Sequence, residues 1–186
     1  MKKILFISPR NPFSGRYSGD VIRAKKFIYF LSRNNYVKVL SLDILDSKKK
    51  ESKLNYEGFN GPNFISKIFY IFYSLLKLNP LQLGYFYSPK IDEYVKNNYK
   101  KYDLIFFQSF RTAQYLPKNL KKNSILDMAD LVSKNYEQTS KRLFFFNPTR
   151  IIYFIESKLL KRYEKICFDS FQKILLHSKK EINTLD

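Results

Sequence analysis

Between residues 3 and 42 the chain runs through an apolar stretch, a glycine-containing loop, a helical pattern and a second apolar stretch. The first stretch is Lys3-Ile4-Leu5-Phe6-Ile7-Ser8, and the loop that follows, from Arg10 to Asp20, holds Gly15 and Gly19. Apolar residues recur at helical spacing from about Val21 to Arg33, before Tyr36-Val37-Lys38-Val39-Leu40-Ser41-Leu42. Strand, helix and strand joined this tightly make a βαβ unit, which opens an open parallel sheet. Such sheets bind ligands in the loops leaving the carboxyl ends of their strands. The loop around Gly15 and Gly19 is therefore the first place to look for chemistry.

The remainder alternates in the same way. Strands are expected near residues 3–8, 36–42, 103–108, 123–128 and 172–177. The run from Tyr102 to Gln108 is apolar without alternating, as expected where helices cover both faces of a parallel sheet. Helical patterns occupy 63–79, 89–101 and 130–140, with a short one at 111–116. A longer one runs from Pro148 to about Phe168, with Asn147 as its cap and Ile152, Ile155, Leu159, Tyr163 and Ile166 as its apolar stripe. The polar, lysine-rich stretch from Asp43 to Gly61 reads as a surface loop. At 186 residues this predicts one three-layer α/β domain with a mostly parallel sheet, spanning 1–186. A capping-box pattern, Ser178 with Glu181, starts a further helix just before Asp186, which suggests a domain cut from a longer protein.

The formal charge of +18, from 34 Lys and Arg against 16 Asp and Glu, predicts attraction to anionic lipid, phosphorylated substrates or nucleic acid. Solvated lysines spread over every face are the plainer explanation. Nucleic acid is the least favoured partner, since no RNA-recognition or finger motif is present. A single cysteine, Cys167, excludes an internal disulfide and any cysteine-based metal cluster, and its helical spacing with Tyr163 and Ile166 points to a buried structural thiol. The single histidine, His177, ends an apolar run. No metal site and no resident cofactor are expected. The start lacks a secretory pattern, and no stretch reaches the roughly 18 apolar residues of a spanning helix. A cytoplasmic protein is expected.

Residues 63–79 are dense in aromatics. Ile65, Ile68, Phe69, Phe72, Leu75 and Leu76 share one helical stripe, with Ser66, Lys67, Tyr70 and Lys77 opposite. The stripe can face the core. Alternatively, Phe69 and Phe72 dip into a bilayer while Lys67 and Lys77 stay at headgroup level.

Candidate site residues follow from position. Gly15, Gly19 and Arg23 sit in or just after the first loop, where freed backbone N–H groups and a helix N-terminus suit an anion. The spacing is neither G-x-G-x-x-G nor a P-loop. Gln108 and Arg111 follow one predicted strand, and Asp127 and Asp130 close the next, so all should emerge at the same sheet edge. Competing structural roles are a helix cap for Asp130 and a carboxylate partner for Arg111. Glu156 falls inside the apolar stripe of its helix, where an unpaired carboxylate is costly. It should meet Arg111, Arg142 or Arg150, or line the cleft.

Several segments together resemble the N-terminal domain of family-4-like, GT-B-fold glycosyltransferases of bacterial surface-polysaccharide pathways. They are Ile4 to Ser8 with the loop through Arg23, the tract Gly84-Tyr85-Phe86-Tyr87-Ser88, and Leu126-Asp127-Met128-Ala129-Asp130-Leu131-Val132-Ser133. Arg150, Tyr153, Glu156, Tyr163-Glu164 and Ser178 with Glu181 continue the series in order. The resemblance implies a Rossmann-like, acceptor-side half of an enzyme that moves a sugar from a nucleotide-sugar to a glycan or lipid-linked acceptor. The Gly15 and Gly19 loop would approach the donor phosphate or the acceptor. Family members often carry histidine where this strand ends in Gln108. The donor-binding second domain would be absent, so this chain alone would not catalyse transfer, and the enzyme would work at the inner face of the cell membrane. The competing class is a non-enzymatic basic Rossmann-like module that binds membrane or another polyanion.

Overall fold

The computed structural model describes residues 1–15, 17–43, 53–144 and 146–177, and the backbone of 47–50. Arg16 and the Ser178–Glu181 pattern lie outside the described residues. Strands β1 (Lys3–Ser8), β2 (Tyr36–Asp43), β3 (Ser47–Lys50), β4 (Leu54–Asn60), β5 (Leu104–Gln108), β6 (Ser124–Ala129) and β7 (Lys173–Leu176) form one sheet in the order β3-β4-β2-β1-β5-β6-β7. Six of them run parallel, and β3 pairs antiparallel with β4 at one edge.

β1 is central, with Ile4, Leu5, Phe6 and Ile7 all at most 2% exposed, because helices cover both faces. Ile4 and Phe6 join Val37, Val39 and Phe106 under α1 (Gly19–Ser32), which contributes Ala24 and Ile28. Leu5 and Ile7 join Leu40, Ile105, Phe107 and Leu126 on the other face. That face is covered by α4 (Pro89–Asn98) through Ile91 and Val95, by a 3-10 turn (Phe110–Tyr115), and by α6 (Pro148–Ser170) through Leu160 and Cys167. The remaining helices are α2 (Phe64–Leu76), α3 (Leu81–Tyr85) and α5 (Val132–Arg142).

Three expectations need correction. The stretch read as a surface loop contains β3 and β4, and β4 lies in register beside β2. Leu54, Tyr56 and Gly58 alternate inward on one face, Phe59 packs against the core on the other, and Asn55 and Asn60 stay exposed, so a strand hides among polar residues. The stripe of α2 does not face the core: only Ser74 of that helix is buried. The stripe read for α6 is also rotated outward, with Ile152, Ile155 and Ile166 exposed and Glu156, Ser157, Leu160, Glu164 and Cys167 facing in.

The rotation of α6 has a hydrogen-bonding cause. Glu164 accepts from Ser133 N at 2.9 Å and from Ser133 Oγ at 2.5 Å, which supplies the start of α5 with a cap that its own Leu131 cannot provide. Glu156 accepts from Leu81 N at 2.8 Å and Gln82 N at 3.2 Å, the first residues of α3. Two carboxylates on one face of α6 thus satisfy the N-termini of two other helices. Cys167 follows on the same face, and burial, with Glu164 next, pushes its thiol up to about 12, far from a nucleophile's range.

Candidate functional site

The carboxyl ends of β1, β5 and β6 lie level: Ile7 is opposite Phe107, and Gln108 is opposite Asp127. Two of these ends finish in left-handed backbone at non-glycine residues, Ser109 (φ 71°) after β5 and Ala129 (φ 60°) at the end of β6. Such conformations cost about 1–3 kcal/mol and persist where surrounding contacts over-determine them. Here Ser109 N donates to Asp127 O at 2.7 Å, Ser109 Oγ accepts from Arg111 N at 3.4 Å, and His177 N donates to Ala129 O at 2.7 Å. The rim of the sheet is therefore tied strand to strand.

Gln108 is the latch at its centre. Its Oε1 accepts from Ser8 Oγ at 2.6 Å, and its Nε2 donates to Asp20 O at 2.5 Å. Both ends of the amide are engaged and the residue is 3% exposed, so Gln108 holds the Gly loop and the start of α1 onto β5. Asp127 is 1% exposed and takes a two-pronged ion pair from Arg23, Nε to Oδ2 at 2.7 Å and Nη2 to Oδ1 at 2.6 Å. That bond from Asp127 holds the Arg23 guanidinium above its usual pKa. Arg23 Nη1 also lies 3.0 Å from His177 Nε2. Arg23, Gln108 and Asp127 are thus gathered at the rim and committed to one another, to Ser8 and His177, or to the backbone.

The residues that remain open lie above this layer. Gly15 has φ +72°, a left-handed turn that favours glycine, and a side chain added at Gly15 or Gly19 would meet nothing within 4 Å. Asp130 is exposed and caps nothing, since α5 begins after Leu131 without a side-chain cap. Arg111 is half-buried, and its Nε and Nη2 donate to Gln82 Oε1 at 2.9 and 2.6 Å. Its expected carboxylate partner is replaced by a neutral amide, which leaves the cation's charge uncancelled by direct contact among the described residues. Burial, and then the neighbouring Arg10, lower its pKa.

Arg10 pairs with Asp20 at 2.8 Å. Burial pushes the Asp20 carboxyl up, but the Ser18 hydroxyl and Arg10 outweigh it and hold the group below its usual pKa. The two guanidiniums share one aromatic ring: Arg111 lies 4.8 Å and Arg10 5.7 Å from the centroid of Phe86. Glu156 does not meet Arg111, Arg142 or Arg150 by hydrogen bond; its direct partners are the α3 backbone groups already described. Burial is the largest influence on Glu156 and raises its pKa. Gln82 Nε2, buried beside Arg111, makes no hydrogen bond of good geometry; Tyr136 and Glu156 are its polar neighbours.

Arg10, Asp20, Gln82 and Phe86 were not expected as site residues. Gln82 and Phe86 arrive from α3, about 30 positions before Arg111, and only the fold brings them to the rim. A cavity of about 1190 Å³ lies elsewhere, between α2, α4, α6 and the segment from Ala113 to Lys121, and none of the seven expected rim residues lines it.

No protein-family model and no curated protein matches this sequence. Solved structures do match in shape. Sucrose-phosphate synthase from Thermosynechococcus elongatus superposes with a TM-score of 0.64 at 14% identity, covering 100% of this chain and 44% of that one. The trehalose 6-phosphate synthase of Burkholderia multivorans gives 0.54 at 8% identity, and the UDP-forming trehalose-phosphate synthase of Burkholderia vietnamiensis gives 0.54 at 9%, each covering 100% of this chain and 42% of the other. The chain spans less than half the length of the glycosyltransferase chains it matches. Its fold is that of the Rossmann-like half of a GT-B glycosyltransferase.

Proposed function

We propose that this chain is the acceptor-side half of a glycosyltransferase that moves a sugar from a nucleotide-sugar to a glycan acceptor. The observation that carries the reading is the cationic corner at the carboxyl edge, where Arg111 and Arg10 flank Phe86 beside the open glycine loop. In the transfer, a hydroxyl oxygen of the acceptor bonds to the anomeric carbon as the bond to the donor diphosphate breaks, and the hydroxyl proton is released to water or to the departing diphosphate. Negative charge grows on the leaving diphosphate. A half-buried guanidinium held by a neutral amide keeps its full charge for such a phosphate, and desolvation strengthens the attraction. Asp130, exposed at the same rim, is suited to accept hydrogen bonds from sugar hydroxyls.

The acceptor class we favour is lipid-linked glycan, as in surface-polysaccharide assembly, because an exposed apolar helix adjoins the element that supplies Gln82 and Phe86. We infer that residues 1–186 bind without turning over. Saturation-transfer NMR with UDP-hexoses and phosphorylated sugars tests the reading. Expected is binding that weakens about tenfold in Arg111→Ala, the scale of one lost charge-assisted hydrogen bond. Binding equal in Arg111→Ala and wild type, and abolished by moderate salt, would overturn it in favour of a non-enzymatic basic module.

A further inference from the structure

α2 is built inside out. Phe64, Ile65, Ile68, Phe69, Phe72 and Leu76 are each between 51% and 78% exposed. The side turned to the protein carries Tyr70, Ile71 and the buried Ser74. That side meets α3 by direct backbone approach: a side-chain carbon added at Gly84 would lie 2.3 Å from Tyr70 O and 2.5 Å from Ile71 N. The contact therefore fixes which way the helix faces. A continuous apolar face of this size is not left to water without a partner.

We propose that α2 lies flat on an anionic lipid bilayer, with these apolar side chains below the headgroups. This goes beyond the sugar-transfer reading, which stands or falls separately on the Arg111 corner; only the choice of a lipid-linked acceptor shares this helix with it. Three observations commit the face to lipid. First, lysines on the other side of the helix stack on aromatic rings, where headgroups would lie: Lys77 Nζ stands 4.3 Å from the ring centroid of Tyr73, and Lys67 Nζ 5.3 Å from that of Tyr85. Second, Phe69 and Tyr73 line a groove shared with Lys77, Lys118 and Lys121, and with Lys96, which is paired with Asp92 at 2.6 Å. The chain as a whole carries +18. Third, a second copy docking face to face about a two-fold axis would bring two chains of +18 together, like charge against like. The helix is 13 residues long and no helix among the described residues can cross a membrane, so the attachment is in the plane of the surface.

The chain lacks tryptophan, so Phe69→Trp supplies a sole indole reporter. With vesicles of phosphatidylcholine containing phosphatidylglycerol, its emission should shift to the blue and be quenched by brominated acyl chains. In co-sedimentation with the same vesicles, Phe69→Ser/Phe72→Ser should bind about tenfold or more weakly per side chain removed, with unchanged circular dichroism. Lys67→Glu/Lys77→Glu should lose binding to these vesicles while remaining folded. Absence of co-sedimentation at low salt would overturn the proposal, as would binding that the serine substitutions leave unchanged. So would a dimer in sedimentation velocity that the serine substitutions dissolve, in a protein that ignores vesicles.

Discussion

Glu156 shows how a carboxylate can sit in the face of a helix that packs inward without a cation against it. Its partners are the backbone N–H groups of Leu81 and Gln82. Burial makes the ionised form the costly one in the folded state and raises the pKa above 4.5. Its contribution to stability is therefore complete below about pH 4.5 and is lost as pH rises through the folded-state value. Urea unfolding of wild type and Glu156→Gln should show the wild type gaining on the variant as pH falls from neutral. The reverse trend would mean an ion-paired carboxylate with a lowered pKa. Arg23 makes the opposite case, a cation that must be present because Asp127 beneath it is buried. Arg23→Met should cost about 3 kcal/mol in the same assay, and adding Asp127→Leu should recover much of it. Sequence singled out Glu156, Arg23 and Asp127 but not their partners. Backbone donors carry no residue identity, and Arg23 and Asp127 stand 104 positions apart.

Among the elements, helical spacing located α2 and its apolar stripe without saying which way the stripe would turn. Periodicity establishes that a helix has a face; the neighbour decides whether that face is inside. For α2 the neighbour is Gly84, which lets the α3 backbone reach Tyr70 O and so claims the other side. Gly84→Ala should cost about 1–3 kcal/mol by overpacking. Hydrogen exchange should show the loss concentrated in the amides of α2 and α3, and a uniform loss or none would contradict this contact. α6 repeats the lesson. Its isoleucines suggested one inward face, but Glu156 and Glu164 turn another inward because two helix starts need acceptors. β4 was missed because Leu54, Tyr56, Gly58 and Phe59 are its only inward residues, and lysines and asparagines around them read as loop.

At the scale of the whole molecule, the βαβ opening and the unbroken apolar run of β5 were enough to read a parallel three-layer domain and the edge where its loops converge. At that edge Arg23 meets Asp127, Gln108 meets the start of α1, Arg111 neighbours Arg10 and Asp20, and Asp130 neighbours Arg23, while Gly15 and Gly19 lie in the loop that leaves β1. The division of labour within it was not legible. Gln108, Asp127 and Arg23 brace the rim, whereas Arg111 owes its uncancelled charge and its aromatic neighbour to Gln82 of α3 and Phe86 just after it. The central claim is that this corner, rather than the lysine-rich surface at large, recognises a phosphate-bearing sugar. Amide chemical-shift mapping of the labelled chain during titration with a UDP-hexose tests it most directly. The account predicts shifts confined to Gly15, Gly19, Gln82, Phe86 and Arg111 and their neighbours, and needing about tenfold more ligand in Arg111→Ala. Shifts scattered over the exposed lysines, and unchanged by that substitution, would contradict it.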